Sequence, residues 1–88
     1  MAVDQNIENQ LRALVVDRIG EDALRGFSVE DYFDHNGEQA LRITLTFDAQ
    51  AFDEIDRLDL MTDLFDALRE RKIDLFPYTT FLREGEAA

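Results

Sequence analysis

The sequence predicts a two-layer α+β sandwich of order α-β-β-α-β, with two helices packed on one face of a three-stranded mixed sheet. Three observations carry this reading. Ile7, Leu11, Leu14, Val15 and Ile19 recur at helical spacing near the start; apolar residues alternate with polar ones on both sides of Asn36-Gly37; and a second helical stripe separates that hairpin from a last apolar segment.

The first helix follows the stripe from Ile7 to Ile19, which Val3 continues backwards. Asp4 is placed to cap its first turn, and Gly20 to end it in a left-handed conformation. Residues 21–26 form a connection with room for one irregular turn. In the first strand Phe27, Val29 and Phe33 alternate with polar residues; in the second Leu41, Ile43, Leu45 and Phe47 alternate with Arg42, Thr44 and Thr46. Between them Asn-Gly suits the positive φ angles of a type I′ turn. Asp31 stands at an inward position of this register, which calls for a bulge or an early strand end. Residues 48–52 connect to a second helix capped by Asp53 or Asp56 and running to about Arg71, with acids at its start and Arg69, Arg71 and Lys72 at its end, as the helix dipole favours. Residues 75–82 read as a third strand. Pro77 lacks a main-chain donor and so marks the strand start or a sheet edge. A strand–helix–strand run makes that strand parallel to the second. Residues 83–88 are expected to fray.

Eighty-eight residues make one domain, residues 1–88, with a single modest core. Folding should bury roughly 64% of the unfolded surface. A hydrophobic content of 45%, seven Phe among it, is ample for that core despite 33% charged residues.

Twenty acidic residues against nine basic give a net charge of −11. Such a field repels phosphate backbones and anionic lipid and attracts basic surfaces, so neither nucleic acid nor membrane is an expected partner. Eight of the nine cations are Arg, a bias that a salt-adapted or GC-rich genome also produces. Without cysteine there is no disulfide, thiolate nucleophile or Cys-based metal site. The first residues show no basic-then-apolar signal pattern, and no apolar run approaches eighteen residues, which predicts a cytoplasmic protein.

Two features of the second helix bear on function. Asp56, Asp59, Asp63, Asp66 and Glu70 fall three or four positions apart, a carboxylate ridge on one face without a cation among them. Like charges at that spacing each cost an isolated helix about 0.2–0.5 kcal/mol. The ridge reads as a solvated face or as a docking strip for a basic protein surface. The helix also carries a wide apolar arc: Leu58, Met61, Phe65 and Leu68 form a stripe, extended sideways by Leu60, Leu64 and Ala67. That width fits either a central helix or a flank, centred on Leu60 and Leu64, that a second copy of the chain covers.

Catalytic signals are sparse. His35 sits in the polar hairpin turn, Ser28 lies within a strand, and the four glycines form no phosphate-binding loop. Asp31, Asp34 and Glu38 could serve a carboxylate–metal hydrolase or nuclease, but Lys72 lies far along the chain and the surface is acidic. The expected function is therefore a non-catalytic protein–protein interaction module, adaptor- or antitoxin-like. It would self-associate as a homodimer through Leu60 and Leu64 and dock a basic protein along the ridge, without cofactor or metal. The metal-dependent hydrolase is the alternative.

Overall fold

The computed structural model describes residues 5–85. Helix α1 spans Gln5–Ile19, strand β1 Leu24–Phe33, strand β2 Gln39–Phe47, helix α2 Arg57–Glu70 and strand β3 Pro77–Arg83, with single 3₁₀ turns at Glu21–Ala23 and Phe52–Glu54. Val3 and the expected Asp4 cap lie outside the described residues, as do residues 86–88. The sheet order is β1-β2-β3, with β1 antiparallel and β3 parallel to β2, so β2 is central.

Leu41, Ile43, Leu45 and Phe47 project to one side of β2 and are at most 1% exposed. In one continuous cluster they meet Leu11 and Val15 of α1, Leu60, Leu64, Ala67 and Leu68 of α2, and Leu24 and Val29 of β1. Each such aliphatic side chain contributes roughly 1.5–3 kcal/mol when fully removed from water. Arg42 and Thr80, on the opposite side of the sheet, are exposed.

The connections follow their residues. Gly20 takes φ +92° and donates its N–H to the Val16 carbonyl, ending α1 as expected. Asp48 gathers the N–H groups of Gln50 and Ala51 on Oδ2 and Arg25 on Oδ1, which folds the chain back after β2. Asp56, rather than Asp53, caps α2, its Oδ1 accepting the Asp59 N–H at 3.1 Å. At the other end Lys72 takes φ +59°, and the N–H groups of Lys72 and Ile73 reach the carbonyls of Arg69 and Leu68, a Schellman closure without glycine.

Three details differ from the sequence reading. The hairpin turn is not type I′: Asn36 keeps a negative φ, and Gly37 alone is positive at +81°. The Gly37 N–H donates to the Asp34 carbonyl, and Asp34 Oδ1 accepts from the N–H groups of Asn36 and Glu38. Asp34 thereby holds a three-residue loop, which overrides the Asn-Gly preference. Second, Asp31 does face the inner side opposite Leu41 but is exposed, because β1 runs on to Phe33 past the covered part of the sheet; the register shift lies at its other end, between Leu24 and Gly26. Third, the tail holds further than expected: Arg83 ion-pairs with Asp53, and the Glu84 N–H donates to the Phe47 carbonyl.

Candidate functional site

The acidic ridge lies along the seam between the helices and does not face away from the core. Arg18, in the last turn of α1, reaches Asp59 at 2.9 Å and Asp63 at 2.6 Å. Asp66 pairs with Arg69, and Asp56 is engaged as the helix cap. Farther along the seam Arg71 donates to Gln10 of α1. Of the five ridge carboxylates Asp56 and Glu70 are exposed and show no ion pair among the described residues, Asp56 serving instead as the helix cap. The like-charge penalty inside α2 is thus relieved by a cation from the other helix.

That pairing accompanies the rotation of α2 that puts Leu60, Leu64, Ala67 and Leu68 in the core. Leu60 and Leu64 are 1% and 0% exposed, buried by the chain's own core. They cannot be the flank that a second copy covers, and the expectation placed on them is corrected. The face left outward is the other half of the arc. At about 100° per residue, Leu58, Met61 and Phe65 lie on the flank away from the acids. Leu58 is 77% exposed, and Met61 and Phe65 are half-buried.

This flank continues onto the sheet through a chain of aromatic contacts. Phe65 meets Phe76 edge-on at 5.9 Å between ring centroids, Phe76 meets Tyr78 at 4.8 Å, and Tyr78 meets Tyr32 at 5.4 Å. The Arg42 guanidinium covers the Tyr32 ring at 4.3 Å. Phe76 is 56% exposed and Tyr78 38%. Partial burial, and after it the Asp34 carboxylate that its hydroxyl approaches at 3.5 Å, push the Tyr78 hydroxyl above the ordinary tyrosine range. Beside the strip a cleft of about 390 Å³ opens between Phe65, Leu68, Ile73, Leu75 and Pro77, with the charged Arg69, Lys72 and Asp74 also lining it. A second cleft, about 420 Å³, lies at the start of α2, where Glu54 joins the already engaged Asp56 and Asp59.

The hairpin carboxylates do not assemble. Asp34 is occupied by main-chain donors, Asp31 and Glu38 are exposed, and no group of His, Asp or Glu among the described residues is placed to hold a metal ion. His35 is exposed in the turn. No helix among the described residues is long and apolar enough to cross a membrane. Comparisons with protein-family models, with curated proteins and with solved structures give no match.

The outward strip was missed in the sequence because Leu58-Met61-Phe65-Leu68 and Leu60-Leu64-Ala67-Leu68 are equally regular stripes. The signal that separates them is Arg18: a helix that turns its acids toward a cation on α1 must turn Leu60 and Leu64 inward.

Proposed function

We propose that this chain is a non-catalytic interaction module that acts by self-association, in the cytoplasm, through the strip from Leu58, Met61 and Phe65 of α2 to Phe76 and Tyr78. The observation that carries this reading is the continuity of large apolar side chains at the surface of a protein of charge −11. A contiguous apolar patch on a small domain marks an interaction site, whereas scattered exposed hydrophobes do not. Charge favours a neutral partner at this place, since the acids are drawn to the opposite flank of α2 by Arg18. The remaining acidic surface suits a basic protein as a further partner, steered by the overall field more than by the ridge.

Sedimentation velocity tests the reading. Wild-type protein at tens of micromolar should contain dimer, and Leu58→Glu should return it to monomer with an unchanged circular dichroism spectrum, because that side chain makes no part of the core. A wild-type monomer at several hundred micromolar overturns the proposal.

A further inference from the structure

The two edges of the sheet are treated differently. Edge strand β1 is defended: a register shift breaks it between Leu24 and Gly26, Glu30 and Asp31 are exposed along it, and Glu8 of α1 accepts the Val29 main-chain N–H at 2.9 Å. Bulges, charges and occupied main-chain donors are the devices that stop an edge from pairing. Edge strand β3 shows none of them among the described residues from Tyr78 to Leu82, between Pro77 at its start and the ion-paired Arg83 at its end. The stretch 75–83 contains no Asp or Glu, one of the two longest such stretches in a chain with twenty, and the other holds the central strand β2. In a parallel pair alternate residues bond to the neighbour. The Leu41 N–H donates to the Phe76 carbonyl and the Glu84 N–H to the Phe47 carbonyl, so Tyr78, Thr80 and Leu82 turn their main-chain groups to β2. The main-chain groups of Thr79 and Phe81 therefore point out of the sheet.

The same side carries the apolar flank. Helix α1 packs on β1 and on α2, while α2 packs on β3, so the α2 flank turned away from α1 stands beside the β3 edge, as the Phe65–Phe76 contact shows.

We infer that β3 pairs antiparallel with β3 of a second copy about a two-fold axis at Thr80, joining two sheets into one of six strands and bringing the two α2 flanks to the same interface. This rests on the self-association proposed above and specifies its geometry. The occupant follows from charge. A basic partner would find no carboxylate along this edge to pair with, and an acidic one would meet the field of the whole molecule. The acid-free strip of another copy leaves no charge unpaired at the contact itself. Only the long-range repulsion between two molecules of charge −11 then opposes the pairing, and salt screens that repulsion. With Thr80 at the axis, Thr79 lies opposite the partner's Phe81 and the full length of Pro77–Arg83 is matched against itself. Specific interfaces cover about 800 Å² per partner. A seven-residue strand supplies directional bonds but a narrow strip, and Leu58, Met61 and Phe65 widen it.

Single cysteines in this cysteine-free chain test the arrangement. Residues facing each other across such an axis, outside the hydrogen-bonded pairs, stand about 4.5 Å apart at Cα, within the span of a disulfide. Thr80→Cys should give a covalent dimer under mild oxidation, while Glu30→Cys on the defended edge should not. Thr80 is exposed, so Thr80→Glu should leave the fold intact and weaken dimerisation by about tenfold or more through opposed charges at the axis. A dimer that Leu58→Glu dissociates, but that Thr80→Glu leaves intact and Thr80→Cys does not cross-link, overturns the edge pairing and preserves self-association through the helix. A wild-type monomer at several hundred micromolar overturns both.

Discussion

Arg18 Nε stands 2.6 Å from Asp63 Oδ2, and the same guanidinium reaches Asp59 at 2.9 Å. One cation from α1 thus bridges two successive turns of α2 and makes an otherwise self-repelling face compatible with a helix. The arrangement fits the rotation of α2 that buries Leu60 and Leu64, and that rotation decides what the molecule shows to solvent.

The first prediction concerns this bridge. Arg18→Gln should destabilise the domain by about 0.5–1 kcal/mol, since partly exposed pairs are worth little individually and two are lost together. Asp63→Asn should cost more than Asp59→Asn, because the Asp63 side chain is 27% exposed and Asp59 58%. A double-mutant cycle between positions 18 and 63 in urea should return a coupling energy of the same size. Zero coupling would leave the ridge as a solvated face.

The second concerns helix rotation. Leu64→Ala should cost about 2–5 kcal/mol, as a fully buried leucine does. Leu58→Ala should change stability by less than about 0.5 kcal/mol, as expected of an exposed position. Equal costs at the two sites would mean that α2 is rotated differently from the description above.

The order of elements, the parallel third strand and the glycine stop of α1 were all legible in the sequence, because hydrophobic period and chain order determine them locally. The rotation of α2 was not. Two apolar stripes sharing Leu68 satisfy helical periodicity equally well, and the tie is broken by partners distant in the chain: the core side chains of α1 and β2, and Arg18, forty-one residues before Asp59. The hairpin shows the same limit at short range. Asn36-Gly37 favours one turn, but the Asp34 side chain two residues earlier stabilises another by accepting two N–H bonds. The hairpin carboxylates looked adjacent in sequence, yet strand alternation and the turn separate them. The candidate surface was half legible: its apolar width was evident, and its outward half was misassigned.

The third prediction tests the turn. Gly37→Val should destabilise by about 1 kcal/mol or more, since its φ of +81° is hostile to a β-branched residue. Asn36→Ala should be nearly neutral, because Asn36 does not use positive φ. Asp34→Ala should destabilise by about 1 kcal/mol through loss of its two main-chain bonds. A large effect at Asn36 would restore the type I′ turn.

The fourth concerns pH. The hydrogen bond from Arg25 holds the Asp48 carboxyl below its ordinary value of 3.8, aided by the N–H groups of Ala51 and Gln50 and opposed by partial burial. A carboxyl with a lower pKa in the folded state stabilises above its unfolded value, and that contribution fades as pH falls through the folded one. Wild type should therefore exceed Asp48→Asn in stability at pH 6, and the gap should close during acid titration below about pH 4. A gap that persists unchanged at pH 2 would assign the role of Asp48 to shape alone.

The fifth separates the two kinds of partner by salt. Two copies, each of charge −11, repel one another everywhere except along the acid-free edge and the apolar strip. Screening lengths shrink from about 10 Å at 0.1 M to about 3 Å at 1 M, so added salt removes the repulsion and leaves apolar and main-chain contacts in place. The dimer dissociation constant should therefore fall by about threefold to tenfold between 0.05 and 0.5 M NaCl. Binding of a basic protein to the acidic surface should weaken over the same range, because attraction between opposite charges is what screening removes. If salt instead dissociates the homodimer, its copies meet through acid–arginine pairs, and the neutral edge of β3 is not their interface.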